Sequence, residues 1–218
     1  AITMGVAERK ERHREELKKD ILIAARELFL KNGFEAISIR NIAEKIEYSP
    51  ATIYLYYKDK NEIIHALHQE GFKLLIQHFE PLNNIPSAFE RLKAMGKAYI
   101  QFALKHPDVY QLIFSMTEPL EHLAECEMEW DEGDASFQLL MKTVQGCQEE
   151  GYFKGIETVG MSFVIWSTMH GLCTLRYSGH LEHMTSVCKE VEELNRNVND
   201  LLTYNYQVFV SVLEKLKN

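Results

Sequence analysis

The sequence predicts an all-α protein. Over no long window do apolar and polar residues alternate with the period of two that a half-buried strand needs; apolar residues recur instead three and four positions apart. Leu, Glu, Lys, Ala and Ile dominate, most of them strong helix formers. Only five prolines interrupt the 218 residues, at positions 50, 81, 86, 107 and 119. With 46% hydrophobic and 26% charged residues, the chain has the composition of a soluble globular protein with one large or two small domains.

Residues 8–20 are almost wholly charged and grade into a first helix that ends near Asn32 and Gly33, with Gly33 as a left-handed cap. Leu17, Ile21, Ala24, Ala25, Leu28 and Phe29 recur at helical spacing and form its apolar stripe. Arg9, Lys10, Arg12 and Arg14 have two readings. With Glu8, Glu11, Glu15 and Glu16 interspersed they form a solvated charged arm, or else a disordered arm that touches phosphate or the minor groove.

Residues 38–60 hold two short helices joined by a tight turn. Ser38 caps the first, about Ile39 to Ile46, whose Ile39, Ile42, Ala43 and Ile46 make one stripe. Ser49 caps the second, and Pro50 occupies its first position, where a missing N–H costs nothing. Only Ile53 and Tyr57 of the second helix share a face with the first, which leaves Thr52, Tyr54 and Tyr56 without a core to enter. Two helices at a steep angle, the second turning polar and aromatic groups outward, is the arrangement that lays a recognition helix in the major groove. The alternative is an ordinary helical hairpin.

The flanks favour the first reading. The stretch from Ala24 to Arg40, the two short helices and the stretch from Lys58 to Ile64 together resemble the TetR family of one-component transcriptional repressors. The match spans about Ile21 to Leu67 and fixes Phe29, Gly33 with Phe34, Ile42 with Ala43, Tyr54 and Lys60 in one register. The resemblance implies double-stranded operator DNA as partner, held by Ser38, Arg40, Ser49, Ala51, Thr52, Tyr54, Tyr56 and Lys60. Thr52, near the start of the second helix, is placed to meet a base, whereas Ser38, Arg40, Tyr54, Tyr56 and Lys60 are placed for phosphate. Two departures stand out: Glu47 replaces the usual turn glycine, where a positive φ is uncommon for other residues, and Tyr57 replaces the usual Phe, so its hydroxyl needs a partner.

A net charge of -8 argues against a nucleic-acid partner until its distribution is read. Residues 1–60 carry 12 Lys and Arg against 10 Asp and Glu, a net of +2; residues 61–218 carry 12 against 22, a net of -10. Phosphate binding is therefore expected at the N-terminal end alone.

A long helix is expected from Asp59 to about Phe79, capped by Asp59 with Glu62 three residues on. Lys60 in its first turn opposes the helix dipole, a placement that an adjacent anion relieves; in the family that anion is a DNA phosphate. After the break from Pro81 to Pro86, Ser87 and Glu90 form a capping box for a helix to about Lys105, and Pro107 opens another through Tyr110, Leu112, Ile113 and Phe114. The stretch from His106 to Phe114 also resembles the C-terminal halves of several TetR-like regulators. From Glu118 to Asp134 there are eight acidic residues and no Lys or Arg, the pattern of a solvated loop or, less simply, a cation site.

A helix is expected from Asp134 to Glu150, carrying Phe137, Leu140, Met141, Val144 and Cys147. Thr158 to Leu175 is the most apolar segment, long enough to span a membrane, but rich in Ser, Thr and Gly and without basic flanks; it reads as a helix buried on most sides. One face carries Val159, Phe163, Trp166, His170, Cys173 and Tyr177, and its neighbour the smaller Gly160, Val164, Ser167, Gly171, Thr174 and Ser178. The spacing of Trp166, His170 and Gly171 resembles a subgroup of TetR-like C-terminal domains. A last helix, about Val187 to Leu216, repeats Leu194, Val198, Leu201, Leu202, Val208, Phe209, Val212, Leu213 and Leu216 as two adjacent stripes, more than one neighbour covers. A homodimer through the last two helices satisfies both.

No Gly-rich phosphate loop, nucleophile elbow or metal-ligand pattern is visible, so no enzyme, cofactor or metal is expected. His180 and His183, with Glu182 between them, are an i, i+3 pair without a third nearby ligand, and His170 on an apolar face reads as a core histidine or as a ligand contact. The four cysteines, at 126, 147, 173 and 188, form no close pair and read as reduced thiols; no apolar leader follows the N-terminus, so a cytoplasmic chain without a membrane anchor is expected.

The resemblance further implies a small-molecule effector, largely apolar, with Phe102, Tyr110, Phe114, Met141, Phe163, Trp166 and His170 as its lining, each of them taken singly reading as core before pocket. The expected organisation is an N-terminal three-helix helix-turn-helix DNA-binding domain, residues 5–57, followed by a helical effector-binding and dimerisation domain, residues 58–218. The expected function is a DNA-binding repressor released by its effector; the alternative is a helical protein-binding adaptor without DNA activity.

Overall fold

The computed structural model describes residues 5–33, 36–114, 131–189 and 197–217. Among these residues there is no named strand, only an isolated bridge between Tyr152 and Lys217. Two compact units are present: residues 1–72 with 108–131, and residues 73–107 with 132–218. Phe34, Cys126, Leu194 and the acidic stretch 118–130 lie outside the described residues.

In the first unit, α1 runs Val6–Asn32 and buries Leu17, Ile21, Ala24, Ala25 and Phe29. The charged stretch expected as an arm is thus helical from its start, its first turn closed by the Gly5 N–H donating to the Glu8 carboxylate at 2.8 Å. Gly33 ends the helix with its N–H on the Phe29 carbonyl at 2.9 Å. Its φ of 79° is positive as expected, but ψ is 161°, so it is not the left-handed cap: the chain leaves the helix extended, through a region open chiefly to glycine. Helices α2 (Ile39–Lys45), α3 (Pro50–Ile53) and the first part of α4 (Lys60–Phe79) follow, then, beyond α5 (Ala88–Lys105) of the second unit, α6 (Pro107–Phe114). Gly71 on α4 lets α6 approach closely, because a Cβ there would meet the side chains of Ile113 and Val109. Beside it His68, with no exposed surface, places Nε2 2.9 Å from the Leu112 carbonyl, which requires that nitrogen to carry the proton. Its Nδ1 has no partner among the described residues, and burial pushes the imidazole down to about 4.

In the second unit a 3₁₀ turn, Glu80–Asn84, leads to α5 (Ala88–Lys105). Ser87 caps α5 by accepting from the Glu90 N–H at 3.3 Å, but the reciprocal half of the expected capping box is missing. Glu90 turns instead to Lys93, 2.6 Å away, and the carboxylate of Glu150 takes the free N–H groups. Helix α7 (Asp131–Glu149) starts three residues earlier than expected, so the last acidic residues of the run lie in its first turn, where they suit the dipole.

Helix α8 (Thr158–Tyr177) buries Met161, Ser162, Ile165, Met169 and Cys173. This corrects the expectation of a helix covered on most sides: of the proposed bulky face only Cys173 is buried, while Val159, Phe163 and Tyr177 are exposed. Ser162 turns its hydroxyl to the Thr158 carbonyl at 2.8 Å, which is how a polar residue enters the buried side. The expected last helix is also shorter. Val187 ends a separate helix, α9 (His180–Val187), and the final described helix, α10 (Val198–Glu214), begins at Asn197, whose side chain accepts from the Asp200 N–H at 3.0 Å. Helices α8, α9 and α10 pack on one another. Cys147 and Cys173 are free and buried, each raised to about 12 by burial.

Candidate nucleic-acid interface

Ser38 closes α2 with a box in which Asn41 takes the place usually given to Glu or Gln. The Asn41 N–H donates to Ser38 Oγ at 3.3 Å, and Ser38 N–H and Oγ–H donate to Asn41 Oδ1 at 2.9 and 2.6 Å. Ile39, Ile42 and Ala43 are buried beneath. The turn then places Glu47 at φ 60°, the positive value the usual glycine would take freely, and returns the Tyr48 N–H to the Ala43 carbonyl at 2.9 Å.

Ser49 opens α3 by accepting from the Thr52 N–H at 3.2 Å, and its hydroxyl lies 2.9 Å from the Thr52 hydroxyl. One of the two hydroxyls donates to the other, and the accepting one keeps its own proton to donate. Helix α3 is shorter than expected: regular geometry stops at Ile53, and residues 54–56 continue as turn. Ile53, with no exposed surface, and Tyr57 at 8% anchor this segment, and between them Tyr54 at 56% and Leu55 at 77% face outward. Tyr56 and Thr52 are half-buried, and Ser49, Pro50 and Ala51 are exposed. Two buried anchors four residues apart, with exposed side chains between them, hold an outward surface on a rigid support.

Sequence reasoning passed over Leu55 and Tyr48, the latter 39% exposed. A large apolar side chain at an outward position was the available signal. The Tyr57 hydroxyl is raised to about 12, first by burial and then by the carboxylates of Glu70, Glu62 and Glu15, so it stays neutral at any ordinary pH.

Asp59 caps α4 by accepting from the Glu62 N–H at 2.9 Å, while the Glu62 carboxylate accepts from the Lys58 N–H. Lys60 is half-buried in the first turn. Arg40 is exposed and pairs with Glu44 at 3.2 Å; a solvent-facing pair of this kind is worth little, so a phosphate competes readily for the guanidinium. Ser38, Arg40, Ser49, Ala51, Thr52, Tyr54, Tyr56 and Lys60 thus all lie on α2 and α3, at their caps, in the turn after α3 or at the start of α4, within the first unit.

The seven effector-lining candidates are differently distributed. Tyr110 and Phe114 belong to the first unit, their rings 5.0 Å apart, with Phe114 edge-on to Phe72 at 5.4 Å. The other five belong to the second. Phe102 is buried between His78 and His106, and Phe163 and Trp166 cluster with Phe137 at 4.8 and 5.8 Å. His170 lies 3.5 Å from the Tyr99 hydroxyl and is shifted down by burial; Met141 is half-buried on α7. A depression of about 520 Å³ in the same unit is lined by Gln148 and residues 151–155, none of them among the seven. Glu182 of the weak metal set pairs with Arg176, and no group of three metal-ligating side chains occurs among the described residues. No helix among them is long and apolar enough to cross a membrane.

The model of the family described as bacterial regulatory proteins, tetR family, matches residues 21–67, and that described as tetracyclin repressor-like, C-terminal domain, matches residues 92–197. The chain belongs to the TetR family. This TetR-family chain is 28% identical over 90 residues to an HTH-type transcriptional regulator of Staphylococcus aureus, covering 41% of this chain and 49% of that one. It is 29% identical over 110 residues to the HTH-type transcriptional activator FasR of Mycolicibacterium smegmatis, covering 49% and 50%. The chain therefore spans about half the length of the curated relatives it matches. Solved structures share the fold: the fatty acid degradation regulator FadR of Bacillus halodurans has a TM-score of 0.66 at 17% identity, covering 88% of this chain and 94% of that one. A TetR-family regulator from Syntrophomonas wolfei has a TM-score of 0.67 at 16% identity, covering 92% and 95%.

Proposed function

We propose that the chain is a homodimeric, DNA-binding transcriptional repressor that leaves its operator when a largely apolar small molecule binds. One observation carries the DNA part: within a family-matched segment, the stretch between the buried anchors Ile53 and Tyr57 turns Tyr54 and Leu55 to solvent beside the capped start of α4. On this reading residues 5–57 bind operator DNA, with Thr52 toward a base and Ser38, Arg40, Ser49, Ala51, Tyr54, Tyr56 and Lys60 at or near the backbone.

Residues 58–218 would dimerise and hold the effector. Exposed Val159, Phe163 and Val164 on α8 and Val208 and Val212 on α10 support dimerisation through these helices, as do Gly160 and Gly171, where an added Cβ would meet nothing within 4 Å. Apolar residues left open on two packed helices have the composition of an interface core. In the DNA-bound dimer the two recognition segments would lie about 34 Å apart, one turn of the duplex.

A gel shift with DNA from upstream of the chain's own gene tests the reading. Retention at nanomolar protein with competitor DNA present is expected, and loss of retention when the effector is found in a compound panel. No retention at any salt concentration would overturn it. Transcription of a reporter behind the operator should rise when the chain is deleted; a fall would make it an activator. Effector and operator must weaken each other's binding by the same factor.

A further inference from the structure

Three polar side chains are buried among the described residues, His68, Thr143 and Ser162. The two hydroxyls bond backbone carbonyls, of Leu139 at 2.9 Å and Thr158 at 2.8 Å. His68 alone keeps a polar atom with no partner, its Nδ1.

The chemistry of that atom is fixed. Nε2 lies 2.9 Å from the Leu112 carbonyl, and a carbonyl can only accept, so Nε2 carries the proton and Nδ1 is left as a bare lone pair. Turning the ring over would put a carbon where Nε2 stands and lose this bond. Leu112 lies in the last turn of α6, where carbonyls lack a partner within the helix, so the helix end needs the bond as well. Burial, opposed only in part by the Leu112 bond, pushes the imidazole down to about 4, and the ring is neutral at ordinary pH. Gln69 Oε1, next along α4, is also buried without a partner, but an amide exchanges its oxygen and nitrogen by turning over and so specifies no donor.

An aromatic row stands beside the imidazole. Its ring lies 6.2 Å from that of Phe72, which meets Phe114 edge-on at 5.4 Å, and Phe114 meets Tyr110 at 5.0 Å. All four belong to the first unit, and Phe114, half-buried, has the most surface in solvent of them. A carboxylate would bring only lone pairs to Nδ1 and be repelled. An ammonium would bring a proton, but also an unpaired charge into an apolar row, which is costly. A hydroxyl or an amide N–H on an apolar body meets both demands.

We infer that His68 Nδ1 receives the polar group of the effector, a neutral hydrogen-bond donor on an apolar body that enters on the Phe114 side and lies against Phe72, Tyr110 and Phe114. This rests on the effector reading and deepens it. The polar end of the ligand is placed in the first unit, at a residue outside the seven lining candidates, and acids and amines are ruled out.

The test uses the full chain and three probes that share one apolar body: para-cresol, its methyl ether and para-toluate. Nitrogen NMR of the chain labelled at histidine reads Nδ1 directly, the His68 resonance being assigned by its loss in His68→Gln, and calorimetry gives the affinities. At millimolar concentration para-cresol should move the Nδ1 resonance with a saturable dependence, and the ether and the carboxylate should not. His68→Gln keeps an N–H for the Leu112 carbonyl but has no acceptor at the Nδ1 position. Its affinity for para-cresol should fall about tenfold, the scale of one buried donor left unpaired, with no change toward the ether. A resonance that para-cresol leaves in place overturns the inference, and if it already stands at a hydrogen-bonded position, a buried water holds the site. An equal loss for cresol and ether in His68→Gln also overturns it, reducing His68 to packing. If some compound of a wider panel releases operator DNA without moving Nδ1, the effector reading stands and this inference falls; if para-cresol moves Nδ1 but nothing releases the DNA, it is the effector reading that falls.

Discussion

The carboxylate of Glu150 stands 2.5 Å from the backbone nitrogen of Ala88, 62 positions earlier in the chain. It also accepts from the Phe89 N–H at 3.1 Å and the Ser87 hydroxyl at 2.9 Å, so one side chain at the end of α7 caps the start of α5.

Burial by itself would raise the Glu150 carboxyl, but the Ala88 and Phe89 N–H groups, Ser87 and Arg91 together hold it below its ordinary 4.5. A carboxyl depressed by folding adds stability that is present above its unfolded value and lost as pH falls through the folded one. Glu150→Ala should therefore cost about 1 kcal/mol at pH 7, the scale of an exposed helix cap, with the difference fading as the pH falls below the ordinary 4.5. Urea melts of both proteins at pH 7 and pH 3 measure it. A difference that persists undiminished at pH 3 would mean that packing, not charge, holds this cap.

His68 gives a second, separable pH dependence. The folded chain keeps the ring neutral down to about 4, whereas the unfolded chain protonates it below 6.5. Its contribution is thus whole above pH 6.5 and is lost as pH falls from there through about 4, by roughly 3 kcal/mol at most. His68→Gln can still donate to the Leu112 carbonyl but cannot titrate. Its urea midpoint should change less between pH 7 and pH 4.5 than that of the unaltered chain; equal changes would show that the buried imidazole is not the titrating group.

At the proposed DNA surface, the hydroxyl of Thr52 lies 2.9 Å from that of Ser49, and its methyl is the group proposed to meet a thymine methyl. Thr52→Ala should cost about 1–3 kcal/mol at one operator position without altering the salt slope, and Lys60→Ala should lower that slope by roughly 1 on every sequence. Binding to single-base operator variants at several salt concentrations separates the two. A changed sequence preference for Lys60→Ala, with its slope intact, would mean that α3 is placed wrongly in the groove.

Leu55, 77% exposed, adds nothing to the core of the free chain. Leu55→Ala should leave the melting temperature within about 1 °C, since a surface change is worth less than about 0.5 kcal/mol. It should also weaken binding to a thymine-containing operator more than to the same duplex with deoxyuridine in place of thymine, which lacks the methyl. Equal losses on the two duplexes would place Leu55 away from the base edges.

The proposed dimer is tested on α8 and α10. Val164 and Val212, 53% and 52% exposed, are outside the core of the single chain. Val164→Asp with Val212→Asp should give a monomer of 25.4 kDa by light scattering with helical content retained. A dimer that survives both charges is held by another face.

The sequence alone determined the local, periodic features. Ser38 and Ser49 announce the starts of α2 and α3, because capping depends on groups within three residues. Ile53 and Tyr57 could be named as the inward pair from spacing alone, and Glu47 stands out by comparison with the family pattern, which usually has glycine there. Tertiary structure decided what depends on partners distant in the chain. The box expected between Ser87 and Glu90 closes on one side only, and the neighbouring Ala88 and Phe89 N–H groups are taken by Glu150, a partner that no local window contains. Helix α8 reads from its sequence as buried on most sides because hydrophobicity reports the need for cover, not its source; the single chain covers only the Met161, Ile165 and Met169 side and leaves Phe163 and Val164 open. His68 was invisible for the same reason. A histidine at an apolar register looks like any core residue until the Leu112 carbonyl, brought up by the close approach at Gly71, fixes its proton on Nε2 and leaves Nδ1 without a partner among the described residues.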